Sequence, residues 1–323
     1  MKTLSEIQAI LADEIEKIDL AKEPQGVYAP IKYILSLGGK RIRPALALLA
    51  CNLFSEDIVP AINPALGIEI FHNFTLLHDD IMDKADVRRG KPTVHKKWDE
   101  NTAILSGDVM QIIAYQYTCN VPEKELKRVL DAFSQMATEI CEGQQYDMDF
   151  EKRQDVKPEE YLNMIRLKTA VLLGTALKIG AWLGGGNDTD AQLLYDFGIN
   201  IGLAFQLKDD WLDVYGNEET FGKKIGGDIL CNKKTYMLIQ ATLLAQGEDA
   251  KELSTWLESN DSPKEKIDAV TAIYNRLGVK KVCEEKMEYF YERAIKCLEQ
   301  VNTPEAKKQE LRNLAKKLMS RNE

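Results

Sequence analysis

Apolar residues recur every three to four positions along most of this chain, as in Leu4, Ile7, Leu11, Ile15 and Ile18, whereas strand-like alternation is scarce. That period predicts helices near 4–21, 27–37, 42–54, 58–82, 98–119, 123–149, 158–183, 188–213, 233–247, 249–259, 263–275, 278–300 and 304–320. Breaks fall on turn chemistry: Gly38-Gly39, Gly90-Lys91-Pro92, Val121-Pro122, Gly184-Gly185-Gly186-Asn187-Asp188 and Gly226-Gly227. Pro122, Pro158, Pro263 and Pro304 each precede an amphipathic run, where a proline in the first turn costs little. Gly174, Gly180 and Gly184, and Gly198 with Gly202, set small residues at helical spacing, which lets helices pack closely. No low-complexity linker interrupts the pattern. The expectation is an all-α fold of many helices in a single domain over residues 1–323.

Composition narrows the setting. With 45% hydrophobic residues in 323, the chain can bury a sizeable core. A formal charge of −9 and an isoelectric point near 5.2 argue against nucleic acid as a partner. Cys51, Cys119, Cys141, Cys231, Cys283 and Cys297 form no CxxC pair and look like thiols of a reducing compartment. The amphipathic, acidic N-terminus is unlike a signal or transit peptide. The richest apolar run, Ala170 to Leu183, is broken by Lys178 and falls short of the ~18–20 residues of a membrane span. A cytoplasmic protein with no transmembrane segment is expected.

Two acidic clusters carry the chemistry: DDIMD at Asp79–Asp83 and DDWLD at Asp209–Asp213. On a helix the first and last aspartate of each stack on one face, one turn apart. Carboxylates so crowded repel one another and invite a cation. Hard oxygen donors suit Mg²⁺, which takes one or two carboxylates and completes its shell with water and substrate phosphate. One DDxxD alone is weak, since a solvated helix face can carry it. The second copy, with Leu76, Leu77, Phe205, Trp211 and Leu212 around the carboxylates, favours two walls of one metal–phosphate site.

A diphosphate also needs cationic side chains, and these occur where the helices break. GGKRIRP supplies Lys40, Arg41 and Arg43; DVRRGKPTVH supplies Arg88, Arg89 and Lys91; FGKKIGGDILCNKK supplies Lys223, Lys224, Lys233 and Lys234. Guanidinium groups grip phosphate bidentately and lysines act as point charges. Of three histidines, His78 and His95 have no HxxxH or cysteine partner, so zinc is not indicated. His72 lies two turns before Asp79; spacing leaves open whether it meets a diphosphate or is a core histidine. GGGND at 184–188 lacks the Lys-Ser/Thr of a nucleotide phosphate loop.

Taken in order, GGKRIRP, FHNFTLLHDDIMDKADVRRGKPTVH, EGQQYDMDF, RLKTA and FQLKDDWLDVYGNEETFGKKIGGDILCNKKT resemble the trans-isoprenyl diphosphate synthases over about residues 30–240. The resemblance implies an all-α isoprenoid synthase bundle around a central cavity, and a homodimer. It implies head-to-tail joining of isopentenyl diphosphate to an allylic diphosphate (dimethylallyl, geranyl or farnesyl). By this resemblance Asp79, Asp80, Asp83, Asp209, Asp210 and Asp213 hold Mg²⁺, three ions per active site, with Asp79, Asp83 and Asp209 bonding most directly. Lys40, Arg43, His72 and Arg89 hold isopentenyl diphosphate. Arg88, Lys168, Thr169, Gln206, Lys223 and Lys233 surround the allylic group, with Lys168, Thr169 and Gln206 placed at the reacting carbons. Arg321 and Asn322 also reach toward the isopentenyl group. The departing diphosphate, not a side chain, is the implied base.

In this family the helix before the first cluster floors the pocket in which the product grows. Phe71, Phe74 and Thr75 occupy those positions here. At about 1.5 Å per residue, Phe74 lies roughly 7.5 Å and Phe71 roughly 12 Å below the first aspartate. Two rings there act as a floor that a long tail cannot pass, and a C15 or C20 product is expected. Two rivals are a class I terpene cyclase, whose second motif is usually of Asn/Ser/Glu type, and a non-catalytic synthase subunit, which commonly loses its acidic motifs.

Overall fold

The computed structural model describes residues 1–217, 225–259 and 262–320. Helices start where local chemistry caps them. Thr3 opens α1 (Leu4–Glu16) with a reciprocal capping box: its hydroxyl accepts from Glu6 N, and its own N–H donates to the Glu6 carboxylate at 2.7 Å. The apolar period predicts this helix to 21, yet it stops five residues early. The Asp19 carboxylate accepts from Ala21 N at 3.2 Å, a local turn that competes with helix continuation.

Next come α2 (Gln25–Ser36), α3 (Ile42–Phe54) and α4 (Val59–Met82). A two-residue hairpin then departs from the all-helical expectation: β1 (Val87–Arg88) pairs antiparallel with β2 (Lys91–Pro92). Its turn residues, Arg89 and Gly90, both have positive φ (52° and 73°), as a tight hairpin turn requires. α5 (Val94–Lys97) lies ahead of the helix expected at 98–119, which is α6 (Glu100–Thr118), capped by Asp99 on Thr102 N at 2.9 Å.

After α7 (Glu123–Glu151), the stretch predicted as one helix over 158–183 divides in three. α8 (Pro158–Ile165) and α9 (Val171–Leu183) flank a turn of π-helix, Arg166–Ala170. The remaining helices are α10 (Asp188–Tyr215), α11 (Gly227–Leu230), α12 (Tyr236–Leu244), α13 (Gly247–Glu258), α14 (Pro263–Arg276), α15 (Val279–Gln300) and α16 (Glu305–Met319). Among the described residues no helix is long and apolar enough to cross a membrane.

The chain forms two compact units. One comprises Met1–Gln135, Thr175–Tyr195 and Val301–Leu311. Within it α3 is buried on every side from Pro44 to Leu53. Gly180 and Gly184 lie directly on the backbone of Ala47 and Cys51, as their spacing predicts. The other unit comprises Met136–Gly174, Asp196–Gln300 and Arg312–Glu323. Its core gathers Tyr161, Met164, Leu207, Met237, Ile273 and Cys283.

Candidate active site

The first unit carries DDIMD on the closing turn of α4, where Asp83 N donates to Asp79 O at 2.8 Å. A helix C-terminus is the negative end of the macrodipole, so three carboxylates there are destabilising unless a cation answers them. Arg88 answers one of them. Its Nε lies 2.9 Å from both oxygens of Asp80 and its Nη2 lies 2.6 Å from Oδ1. Asp80 is 2% exposed, whereas Asp79 is half-buried and Asp83 is exposed.

The basic loops serve more than one purpose. Gly38, Gly39 and Arg41 have φ of 76°, 136° and 49°, and the Arg89 guanidinium docks on that bend, donating to Gly38 O. The φ of 136° at Gly39 is one that a residue with a Cβ rarely adopts, so glycine suits this bend, and the Arg89 guanidinium lies where a Cβ would be 2.9 Å from Nη2. Lys40 is exposed. Arg41 turns inward, donating to Glu69 and, at 2.6 Å, to Leu35 O; Asn73 Nδ2 also meets Glu69 Oε1 at 2.9 Å. Glu69 thereby pins the loop to α4, and Arg41, which the sequence groups with the loop cations, is held in an ion pair within the protein.

Arg43 Nη1 lies 3.2 Å from His72 Nε2. Arginine can only donate, so His72 is neutral at Nε2 and carries its proton on Nδ1. Burial, then the charges of Arg43, Arg89, Arg88 and Arg41, hold its pKa well below the ordinary 6.5. Beneath the aspartates, Phe71 and Phe74 meet at a 5.3 Å centroid distance, and Phe71 packs edge-on against Phe133 at 5.3 Å. The Thr75 hydroxyl donates to His72 O at 2.8 Å.

The second unit carries DDWLD near the end of α10. Asp209 is half-buried, and Asp210 is 2% exposed. The Tyr161 hydroxyl donates to Asp210 Oδ2, and Gln206 Nε2 donates to Oδ1 at 3.3 Å. Burial, then the neighbouring Asp228, raise the Asp210 pKa to about 7, against the opposing pull of Lys233, Tyr161 and Gln206. Asp213 accepts from Asp228 N at 3.0 Å through Oδ2 and from Gly226 N at 2.6 Å through its carbonyl.

The RLKTA segment is the π turn itself. Gly143 on α7 lies against it so closely that a Cβ would sit 2.4 Å from Lys168 N. Lys168 Nζ pairs with Asp147 at 2.6 Å, one turn along from Gly143, and Thr169 Oγ1 donates to Gln206 Oε1 at 3.4 Å. Lys233 Nζ lies 3.9 Å from Asp228. Lys223, Lys224, Arg321 and Asn322 lie outside the described residues.

Sequence reasoning missed Glu69, Asp147, Tyr161 and Asp228. The spacing of Asp147 four residues after Gly143 on an exposed acidic helix was an available signal; Tyr161 gave none.

Among the described residues no three Asp, Glu, His or Cys side chains gather closely enough to hold a metal on their own. Mg²⁺ needs only one or two carboxylates when phosphate and water supply the rest. On those terms the Asp79–Asp83 turn of the first unit, and separately Asp209 of the second, fit a metal that arrives with a diphosphate. Both oxygens of Asp80 and of Asp210 accept hydrogen bonds from the protein.

An all-α chain with two carboxylate-bearing turns and arginine- and lysine-bearing loops is of the trans-prenyltransferase class. Residues 24–276 match the polyprenyl synthetase family, and the chain belongs to it. It is 44% identical over 230 residues to a geranylgeranyl diphosphate synthase of Methanosarcina mazei, covering 70% of this chain and 71% of that one. A crystal structure of a geranylgeranyl pyrophosphate synthase superposes with a TM-score of 0.95 at 44% identity, covering 99% of each chain. Another, from Corynebacterium glutamicum and complexed with isoprenyl diphosphate and magnesium, has a TM-score of 0.83 at 28% identity, covering 98% of this chain and 97% of that one.

Proposed function

We propose that this enzyme adds isopentenyl diphosphate head to tail to an allylic diphosphate and releases a C20 prenyl diphosphate. The observation that carries the reading is the pair of DDxxD turns, each beside arginine or lysine side chains. The relatives named for geranylgeranyl products support the chain length, as do the rings of Phe71 and Phe74 below Asp79.

Arg43, Arg89 and Lys40, with His72, bind isopentenyl diphosphate; neutral His72 orients Arg43 by accepting from it. Asp79 and Asp83 of one turn and Asp209 of the other would hold magnesium, three ions per active site, with Asp80, Asp210 and Asp213 bracing the two turns. Bound magnesium would neutralise diphosphate oxygens and so favour departure of that group. Arg88 and Lys233 add positive charge around it, a role the resemblance also gives Lys223, which lies outside the described residues. The allylic C–O bond breaks, its electron pair leaving with diphosphate. Thr169 and Gln206 oxygens and the Lys168 backbone carbonyl stabilise the allylic cation. The isopentenyl double bond then forms the new C–C bond to that carbon, and the proton lost from the product passes to the departed diphosphate.

The second acidic turn is of DDxxD type, which speaks against a cyclase. Both turns are intact, which speaks against a non-catalytic subunit. The enzyme works as a homodimer: α6 exposes Ile104, Leu105 and Ile112 at 43%, 57% and 58% on one face, an apolar stripe suited to a second copy. Six free cysteines support a cytoplasmic setting.

Purified protein is incubated with Mg²⁺, isopentenyl diphosphate and dimethylallyl, geranyl or farnesyl diphosphate, and the dephosphorylated products are chromatographed. C20 alcohol is expected with each primer. Cyclised hydrocarbon from farnesyl diphosphate alone, or C25 and longer alcohols as main products, would overturn the reading.

A further inference from the structure

Tyr161 is among the largest fully buried side chains, and its hydroxyl is spent on Asp210. A phenol hydroxyl taken from water is destabilising unless it is hydrogen-bonded, so a phenylalanine would fill the same space at lower cost were packing its only role. Its ring lies in the core of the second unit, 6.4 Å from that of Tyr236.

The bonds form a chain with a direction. The Tyr161 hydroxyl occupies Asp210 Oδ2, which leaves Oδ1 as an acceptor facing Gln206. An amide has one donor end and one acceptor end. With Nε2 committed to Asp210 at 3.3 Å, Oε1 is turned to Thr169 at 3.4 Å. The orientation of an amide is assigned from such a network, and here the carboxylate decides it.

We propose that Tyr161 is a positioning residue: acting through Asp210, its hydroxyl holds the Gln206 amide with its oxygen, not its nitrogen, toward Thr169 and the reacting carbons. This rests on the function proposed above, where an allylic cation forms beside Thr169 and Gln206. An amide oxygen carries partial negative charge and stabilises that cation; an inverted amide would present N–H groups and oppose it. Asp210 is thereby a brace of the cation-facing wall, and its place in DDWLD is explained without a metal bond.

The test compares wild type with Tyr161→Phe, Gln206→Ala and the double variant, reading kcat, KM for both substrates and the Mg²⁺ concentration for half-activation. Tyr161→Phe is expected to lower kcat ~10–100-fold, the usual cost of losing a supporting partner, with KM and half-activation unchanged. In the Gln206→Ala background the same substitution should change kcat less than about twofold, because the group it positions is gone. Equal losses in both backgrounds would overturn the proposal, as would an unchanged kcat. A shifted Mg²⁺ half-activation would instead make Asp210 a metal ligand and also overturn it. Should Tyr161→Phe not fold, Asp210→Asn carries the test: its NH₂ faces Gln206, inverts that amide, and should lower kcat at least as far with the same Mg²⁺ half-activation. A crystal structure of either variant reads the geometry itself: Gln206 held in its wild-type orientation overturns the proposal whatever the turnover. Wild-type protein inactive with every allylic primer would refute the proposed function, a result separable from this one.

Discussion

Asp80 and Asp210 occupy the same place in their two motifs, and each is sealed from solvent by a different partner: a guanidinium for one, a phenol and an amide for the other. Their neighbours Asp79 and Asp209 remain half-buried, turned to a different environment by one residue of helix. Labour is thus divided within each DDxxD, and the division predicts unlike responses to substitution. Asp79→Ala and Asp209→Ala should each lower kcat by at least ~10²–10³-fold, the scale on which charge-stabilising groups act. Steady-state assays across a Mg²⁺ series check this; retained Mg²⁺-dependent turnover in either variant would contradict the assignment. His72 offers a second prediction. Its folded pKa lies below the ordinary 6.5, so the unfolded chain binds the proton first as pH falls. The stability it contributes is complete above about pH 6.5 and is lost as pH drops toward the folded value. His72→Gln keeps an acceptor for Arg43 but cannot titrate. Its melting temperature should therefore fall less steeply than wild type between about pH 6.5 and 5, and parallel curves would contradict the account.

At the scale of the element, α4 does two things along its length: it ends in carboxylates and, a turn or two earlier, presents aromatic rings. Phe71 is 0% exposed and also packs on Phe133, so its truncation costs stability of about 3–5 kcal/mol. Phe74, at 7% exposed, is the better probe. Phe74→Ala should shift the product by one or two isoprene units, and Phe71→Ala with Phe74→Ala further, read by chromatography of product alcohols; an unchanged distribution would remove the floor. Such a helix is legible in sequence because its period is dictated by burial and its end is followed by the turn residues of the Gly90-Lys91-Pro92 break. The features that stayed hidden depend on partners distant in sequence. Arg41 reads as one more loop cation until Glu69 is seen beside it. The bond from Arg88 to Asp80, eight residues earlier, is likewise absent from any local pattern. The π turn was equally invisible: residues 158–183 keep an unbroken apolar pattern, and only the approach of Gly143 to Lys168 marks the extra residue.

For the whole molecule, charge is distributed against its total. The chain carries a net −9, yet handles anions by local clusters of arginine and lysine beside each acidic turn. The apolar stripe of α6 is the corresponding anomaly in hydrophobicity, since a monomer gains nothing by exposing Ile104, Leu105 and Ile112 together. Sedimentation equilibrium should give twice the 36.6 kDa chain mass, and Ile112→Lys should shift the population toward single chains. Single chains in the wild type at micromolar concentration would count against the dimer.

The π turn at Arg166–Ala170 has a further consequence for how this protein can change. A π turn holds one residue more than an α turn, so deleting any one residue of the five permits regular helix from Pro158 to Leu183. The backbone would gain ordinary i→i−4 bonding, and a search for thermostable variants would retain the deletion. It would also remove a residue from the turn that carries Lys168 and Thr169, and so disturb the pairing of Lys168 with Asp147 and of Thr169 with Gln206. Heat tolerance and turnover should therefore pull in opposite directions at this one turn.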